Sequence, residues 1–139
     1  MEDVTRLLEA AKNVRVNAYA PYSRFAVGAA VLTDSGEIFS GCNVENASYG
    51  LAVCAERIAA FTAVSAGSRM IKGIALVADT PEPPMPCGAC RQVLSEFNTK
   101  MWIVCANLRG QQRLYRLEQL LPEAFGPSSM DEKFNNDCS

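Results

Sequence analysis

The sequence predicts an α/β domain. An amphipathic stripe at helical spacing opens the chain over residues 4–18, with Asp3 as its N-cap. Further along, one short helical segment separates an apolar run over 71–78 from another over 101–107. Because a strand, helix, strand order folds back through a right-handed crossover, we expect these two strands to lie parallel in one sheet.

A hairpin is predicted between the first helix and the middle of the chain. Its first strand runs from Phe25 to Leu32, Asp34-Ser35-Gly36 forms the turn, and the return strand covers 38–43. Gly28 within the first strand marks a bulge or a close backbone approach. The other predicted elements are helices over about 54–66 and 88–98, a short strand near 112–116 and a helical turn near 117–121.

The helix over 54–66 is apolar on nearly every side, which predicts burial of both faces. In a chain this small, we expect one face to pack against another subunit. Residues 127–139 form a polar tail that we expect to be loosely held. With no linker or internal repeat in the sequence, we expect a single domain over 1–139.

Composition excludes several classes of function. Histidine is absent, which removes Ser-His and Cys-His catalysis and leaves Cys, Asp and Glu as metal ligands. A net charge of −2 with scattered basic residues gives no electrostatic footprint for nucleic acid. No apolar run approaches the ~20 residues of a membrane span, and the start of the chain lacks a secretory pattern. We expect a cytoplasmic protein whose six cysteines serve metal or redox chemistry.

The chemistry is concentrated at two predicted helix starts. Cys54 is followed two positions later by Glu56, and Cys87-x-x-Cys90 opens the next predicted helix. Unpaired N–H groups at a helix start favour a thiolate over a thiol. Three sulfur ligands suit zinc and leave its fourth position open, as catalytic zinc sites require. A neighbouring carboxylate can act as general base, so Glu56 is the candidate catalytic residue.

Three thiolates on one divalent cation carry a net negative charge. Arg57 and Arg91 each follow a cysteine closely and are candidates to donate to a coordinating sulfur. The alternative is that both are ordinary charges on a helix surface.

Two other functions fit part of this pattern. Pro86-Cys87-Gly88-Ala89-Cys90 alone is close to a thioredoxin-type dithiol, although that function gives no reason for Cys54 and Glu56. A closed structural zinc site would take Cys42 or Cys105 as its fourth ligand. Both lie in predicted strands, where a buried core thiol is the more common role.

Taken together, these residues resemble the small tetrameric cytidine deaminases of nucleoside salvage over about residues 13–125. The stretches that carry the resemblance are Cys54-Ala55-Glu56-Arg57, Pro86-Cys87-Gly88-Ala89-Cys90-Arg91-Gln92, Ala20-Pro21-Tyr22-Ser23 with Phe25, Val27-Gly28-Ala29-Ala30, Gly41-Cys42-Asn43-Val44-Glu45-Asn46-Ala47, and Leu120-Leu121-Pro122 with Phe125.

The resemblance implies a three-layer α/β/α sandwich around a mixed five-stranded sheet, with one zinc ion per subunit held by Cys54, Cys87 and Cys90. It implies that zinc activates water for attack on C4 of the cytosine ring. Glu56 would move the proton to ring N3 and then to the leaving amine. The substrates would be free cytidine and deoxycytidine, because the acidic chain offers no basic pocket for a phosphate.

The resemblance also implies the substrate contacts and the assembly. Asn43 and Glu45 would bind the ribose hydroxyls, although alone Glu45 is equally typical of a solvated loop. Phe25 would lie against the pyrimidine ring, although a phenylalanine at a strand start is more often a core residue. In a homotetramer with shared sites, the backbone N–H of Ala55 would bind the ring carbonyl, and Ala47, Tyr49 and Phe125 would reach a neighbouring subunit's site.

Overall fold

The structure is a computed structural model that describes residues 2–130. Its centre is a five-stranded mixed sheet with the strand order β2-β1-β3-β4-β5. β3 and β4 run parallel, as predicted, and the other neighbouring strands run antiparallel. The strands are β1 (Val27–Thr33), β2 (Ile38–Cys42), β3 (Ile71–Ala78), β4 (Trp102–Asn107) and β5 (Gln112–Arg116).

Helices cover both faces of the sheet and complete three layers. On one face, Leu7 and Ala11 of α1 pack with alternate strand residues such as Ala75. On the other, Ala59 of α2 and Leu94 of α3 pack against the opposite set of strand side chains. This arrangement confirms the predicted α/β/α sandwich. The helices are α1 (Glu2–Arg15), α2 (Ala55–Ser65), α3 (Gly88–Ser95) and α4 (Leu117–Leu120), with 3-10 turns at Tyr49–Leu51 and Pro127–Met130.

The ends of two helices differ from the predictions. α1 begins at Glu2, so Asp3 lies in its first turn, where it pairs with Arg6 at 3.4 Å, and is not the N-cap. The helix ends at Arg15, whose Nε donates to the Ala26 carbonyl and ties the helix end to the segment before β1. α3 also stops early, at Ser95.

Gly28 is a point of close backbone approach, one of its two predicted roles. A Cβ at this position would lie 1.9 Å from the Ala11 carbonyl oxygen of α1. The bulge falls elsewhere, between Leu32 and Thr33. On the opposite face, a Cβ at Gly41 would lie 2.5 Å from the backbone nitrogen of Ala59 in α2. Both helices therefore contact the sheet backbone directly.

The outer side of α2 is not covered by residues 2–130. Ala59 and Ala63 are fully buried against the sheet, whereas Phe61 keeps 46% of its surface exposed. The predicted burial of both faces is therefore not met within one subunit. In the tail, residues Pro127–Met130 form a 3-10 turn, and the rest, including Cys138, lies outside the described residues. No helix among residues 2–130 is long and apolar enough to cross a bilayer.

Candidate active site

Three cysteine sulfurs meet at the starts of α2 and α3. Cys54 and Cys87 are the N-cap residues of these helices, and Cys90 lies in the first turn of α3. The Cys87 sulfur is 3.9 Å from that of Cys54 and 3.4 Å from that of Cys90. Two separate parts of the sequence therefore supply one three-sulfur cluster, as the spacing predicted.

The cluster fits zinc in both chemistry and size. Four tetrahedral ligands at about 2.3 Å from the metal place two sulfurs about 3.8 Å apart, close to the separations here. Within residues 2–130, only Cys54, Cys87 and Cys90 come close enough together to share an ion. Cys105 is fully buried in β4, and burial raises the pKa of its thiol to about 12. Neither Cys105 nor Cys42 joins the cluster, which argues against a closed four-sulfur site among these residues.

Arg57 lies one turn into α2 and contacts the cluster directly. Its Nη2 donates to the Cys54 sulfur at 3.5 Å. The Cys90 thiol, and after it the Arg57 guanidinium, hold the pKa of Cys54 well below its ordinary value. The Arg57 Nε is buried and has no hydrogen-bond partner among the described residues. Cationic and close to the sulfurs, this side chain can offset the negative charge of the thiolates.

Arg91 has a different role from the predicted one. Its Nε donates to the Pro86 carbonyl at 2.8 Å, and its Nη1 donates to the Leu120 carbonyl at 3.0 Å. Among the described residues, no hydrogen bond joins Arg91 to a sulfur. Because Pro86 directly precedes Cys87, Arg91 instead anchors the backbone that carries this ligand.

Glu56 is buried beside the sulfurs. Only 4% of the Glu56 surface is exposed, although a glutamate is usually charged at neutral pH and therefore exposed to solvent. Burial raises the pKa of the carboxyl to about 7, because the apolar surroundings disfavour the charged form. A carboxyl with such a pKa can accept and return a proton near neutral pH.

Glu56 and two of the sulfurs open into a cavity of about 350 Å³. Four residues predicted to contact substrate, Phe25, Asn43, Glu45 and Ala55, also line it. The described residues that line it contribute two carboxylates and no lysine or arginine. The loop between β3 and α3 supplies one wall of the cavity. This role was not predicted, because a proline-rich segment does not indicate which surface it will face. The wall residues from this loop are Thr80, Pro84 and Met85.

Asn43 and Glu45 hold the segment before β1. The Asn43 side chain accepts from Val27 N at 2.8 Å and donates to Phe25 O at 2.7 Å. Glu45 accepts from the backbone N–H groups of Tyr22 and Ser23, both at 3.1 Å, and from the Ser23 hydroxyl. These two side chains therefore shape the loop that presents Phe25 to the cavity.

Ser23 lies in one of the stretches that carry the resemblance but was not predicted to be a site residue. Its hydroxyl donates to Glu45 and accepts from Phe25 N at 3.0 Å, so it links two cavity residues. Arg24, between them, has a φ of 61°, in the left-handed region that costs energy for residues with a side chain. A serine two residues before an extended segment is a weak signal of such a turn.

Ala47, Tyr49 and Phe125 do not line the cavity of their own chain. Tyr49 is 77% exposed and packs edge-on against Tyr22 in an adjoining cavity of about 310 Å³. Phe125 is 59% exposed, and its carbonyl accepts from the Gln92 side chain of α3. These three positions leave their side chains available to another molecule.

Comparison with known proteins agrees with this geometry. Residues 1–106 match the family described as the cytidine and deoxycytidylate deaminase zinc-binding region. The chain is 48% identical to a cytidine deaminase of Sporosarcina psychrophila, over 92% of this chain and 95% of that protein. It is 47% identical to one of Halalkalibacterium halodurans, over 94% and 99%.

Solved structures give the same relationship. The crystal structure of a cytidine deaminase from Burkholderia pseudomallei superimposes with a TM-score of 0.84 and 52% identity, covering 87% of this chain and 98% of the other. A cytidine deaminase from Mycobacterium tuberculosis superimposes with a TM-score of 0.79 and 44% identity, covering 89% and 98%. Since the family match spans most of the chain and the sulfur cluster fits zinc, this protein belongs to the zinc-binding cytidine deaminase family.

Proposed function

We propose that this protein catalyses the zinc-dependent hydrolytic deamination of free cytidine and deoxycytidine to uridine and deoxyuridine, releasing ammonia, in pyrimidine salvage. The observation that carries the proposal is the convergence of Cys54, Cys87 and Cys90 beside buried Glu56 at the end of one cavity. When bound, zinc supplies Lewis-acid chemistry that makes water a nucleophile near neutral pH.

The proton transfers fall to Glu56. Its carboxylate takes a proton from the attacking water and delivers it to ring N3 of the substrate. It then accepts the second proton of that water and passes it to the amino group, which leaves as ammonia. Burial keeps other water away from this carboxyl, so the same group can serve as base and then as acid.

The cavity walls supply the substrate contacts. We assign the Phe25 ring to the face of the pyrimidine and the Ala55 N–H, at the start of α2, to the ring carbonyl. Asn43 and Glu45 are assigned to the ribose hydroxyls. Asn43 uses one N–H on Phe25 and Glu45 holds the 22–23 turn, so each side chain keeps hydrogen-bonding capacity for a sugar.

The charge of the cavity favours a nucleoside over a nucleotide. Among residues 2–130, its lining includes Glu45 and Glu56 and no cationic side chain. A 5′-phosphate would meet these carboxylates without a lysine or an arginine from this part of the chain to receive it. We therefore propose cytidine and deoxycytidine as substrates and exclude deoxycytidylate.

We further propose a homotetramer with shared active sites. Tyr49, Phe61 and Phe125 together leave large apolar surfaces exposed, on the outer side of α2 and next to the cavity. Burial of these surfaces against other subunits would bring Ala47, Tyr49 and Phe125 to a neighbouring site. We place the protein in the cytoplasm, where a reducing environment keeps the three zinc-binding thiols from forming disulfides.

The decisive experiment replaces Glu56 with Gln. We expect E56Q to keep one zinc per subunit while cytidine turnover falls by at least about a thousandfold, because no group remains to carry the proton. Zinc content is measured by atomic emission and turnover by the fall in cytidine absorbance. Wild-type protein that binds zinc but deaminates neither nucleoside would overturn the proposal, as would deoxycytidylate turned over as fast as cytidine. Insulin reduction by the wild type would instead indicate a dithiol oxidoreductase.

A further inference from the structure

The loop between β3 and α3, residues 79–87, which we call the proline loop, is anchored by two hydrogen bonds to its backbone, and Glu82 within it also forms an exposed ion pair with Arg113 at 3.4 Å. Arg91 anchors it at Pro86, next to the zinc ligand Cys87. At the other end, the Asn107 side chain donates to the Pro81 carbonyl at 3.1 Å. The stretch between these anchors carries Pro84 and Met85, which line the cavity.

Asn107 is the last residue of β4 and is 4% exposed. Its Nδ2 has a second acceptor, Gln111 Oε1, at 2.6 Å. Its Oδ1 accepts from the backbone N–H groups of Arg109 and Gln111, both at 3.0 Å. The amide therefore uses both of its N–H groups and both lone pairs of its oxygen. Such a group has one stable orientation, so it holds the Pro81 carbonyl in a fixed place.

The register of the sheet explains why this residue reaches the loop. Asn107 pairs with Ala78 across the parallel strands β3 and β4, and the proline loop begins directly after Ala78. The carboxyl ends of both strands meet at the edge of the sheet where α2 and α3 begin. Asn107 thus joins the β4–β5 turn to the cavity wall without touching the cavity itself.

We propose that Asn107 is a positioning residue for substrate binding. It fixes the front half of the proline loop and thereby sets the cavity wall formed by Thr80, Pro84 and Met85. Because Arg91 holds Pro86 independently, loss of the Asn107 bond loosens the wall and leaves the zinc ligands in place. This inference deepens the proposed function, on which its kinetic test rests.

Asn107→Asp is the sharpest test, because aspartate keeps the shape and the acceptor oxygen but has no N–H to donate to Pro81. Asn98→Asp is the matched control. Asn98 also donates to a backbone carbonyl, that of Ile71 at 2.9 Å, and accepts from the N–H two residues on, that of Lys100 at 2.9 Å. These hydrogen bonds lie at the opposite end of the same two parallel strands, away from the cavity.

For N107D we expect the KM for cytidine to rise about tenfold, as loss of one buried hydrogen bond allows, with kcat within about threefold. Zinc content should stay at one per subunit, and the NMR order parameter of the Met85 methyl group, in the proline loop, should fall because the wall is less restrained. N98D should change neither KM nor this order parameter. If N107D does not fold, the pair Asn107→Ser and Asn98→Ser serves the same comparison, since serine is too short to reach the carbonyl.

Unchanged KM and an unchanged Met85 order parameter in the Asn107 variant would overturn the inference. Equal changes in the Asn98 variant would also overturn it, because they would show a general loss of stability. If the wild type fails to deaminate cytidine, the proposed function fails, while the Met85 order parameter in the two variants still decides whether Asn107 holds the loop.

Discussion

The Arg57 guanidinium lies 3.5 Å from the Cys54 sulfur, one turn further along the same helix. Because the ligand is the N-cap of α2, its sulfur lies at the positive end of the helix dipole and also receives a hydrogen bond from a cation in the first turn. This pairing compensates the charge of a site that has three anionic ligands and no histidine.

Replacing Arg57 with Gln should weaken zinc binding. The variant keeps a hydrogen-bond donor but loses the charge, so the thiolates repel one another more strongly. We expect the zinc affinity to fall about 10-fold to 100-fold, the range seen when partners of metal ligands are removed. Competition with a chromophoric chelator measures the affinity, and Arg6→Gln, which removes an exposed arginine that pairs with Asp3 in α1, is the control. Equal zinc affinity in R57Q and wild type would contradict the charge argument.

Replacing Cys90 with Ser should abolish stoichiometric zinc. Cys90 is fully buried within the sulfur cluster, and a hydroxyl is a poor substitute for a thiolate on zinc. Cys105 is equally buried but lies outside the cluster, so Cys105→Ser should keep one zinc per subunit. Metal analysis of the two purified proteins separates these outcomes. Zinc retained by C90S would show that Cys90 is not a ligand.

Replacing Ser23 with Ala should raise the KM for cytidine by about tenfold, because one hydroxyl links Glu45 to the backbone of Phe25. Initial-rate kinetics measures this effect. Ser35→Ala, which removes a hydroxyl bonded to Glu37 in the β1–β2 turn at the far end of the sheet, should leave KM unchanged. A KM shift of the same size in both variants would show that the Ser23 hydroxyl has no specific effect on substrate binding.

The hydrogen bonds from Ser23 to Glu45 predict how the stability of the fold depends on pH. Hydrogen bonds from Ser23 hold the pKa of Glu45 below its ordinary value of 4.5 in the folded protein. A depressed folded pKa stabilises the protein above the unfolded pKa, and this stabilisation disappears as pH falls through the folded pKa. Ser23→Ala should therefore lower the melting temperature more at pH 7 than at pH 3. A loss of equal size at both values would contradict this assignment.

Replacing Gly28 with Ala should destabilise the fold strongly. The new Cβ would lie 1.9 Å from the Ala11 carbonyl, so α1 or β1 must shift. We expect the free energy of unfolding to fall by about 1–3 kcal/mol, the usual cost of overpacking. Gly88→Ala is the control for stability, since a Cβ there meets no other atom within 4 Å. Urea unfolding gives both values, and equal stability of the two variants would show that the helix accommodates the methyl group.

The sequence by itself determined the order of the elements and the chemistry of the site. A continuous apolar run such as 71–78 is typical of a strand that is buried on both faces, and β3 has the predicted bounds. The cluster of Cys54, Cys87 and Cys90 was also predictable, because each cysteine lies at or near a predicted helix start. The strands before the two helices, β2 and β3, finish at the same end of the sheet, on either side of β1. Because the sequence has no histidine, only Cys, Asp and Glu remained as candidate metal ligands.

Only the tertiary structure decided how side chains divide their hydrogen bonds. Sequence spacing places Arg57 and Arg91 alike beside a cysteine, yet one bonds a sulfur and the other bonds carbonyls. The difference depends on which carbonyls the fold brings within reach, Leu120 in particular, from a distant part of the chain. Asn107 reaches Pro81 for the same reason, because strand register places them together. Such contacts depend on the packing of the whole sheet, which no local pattern encodes.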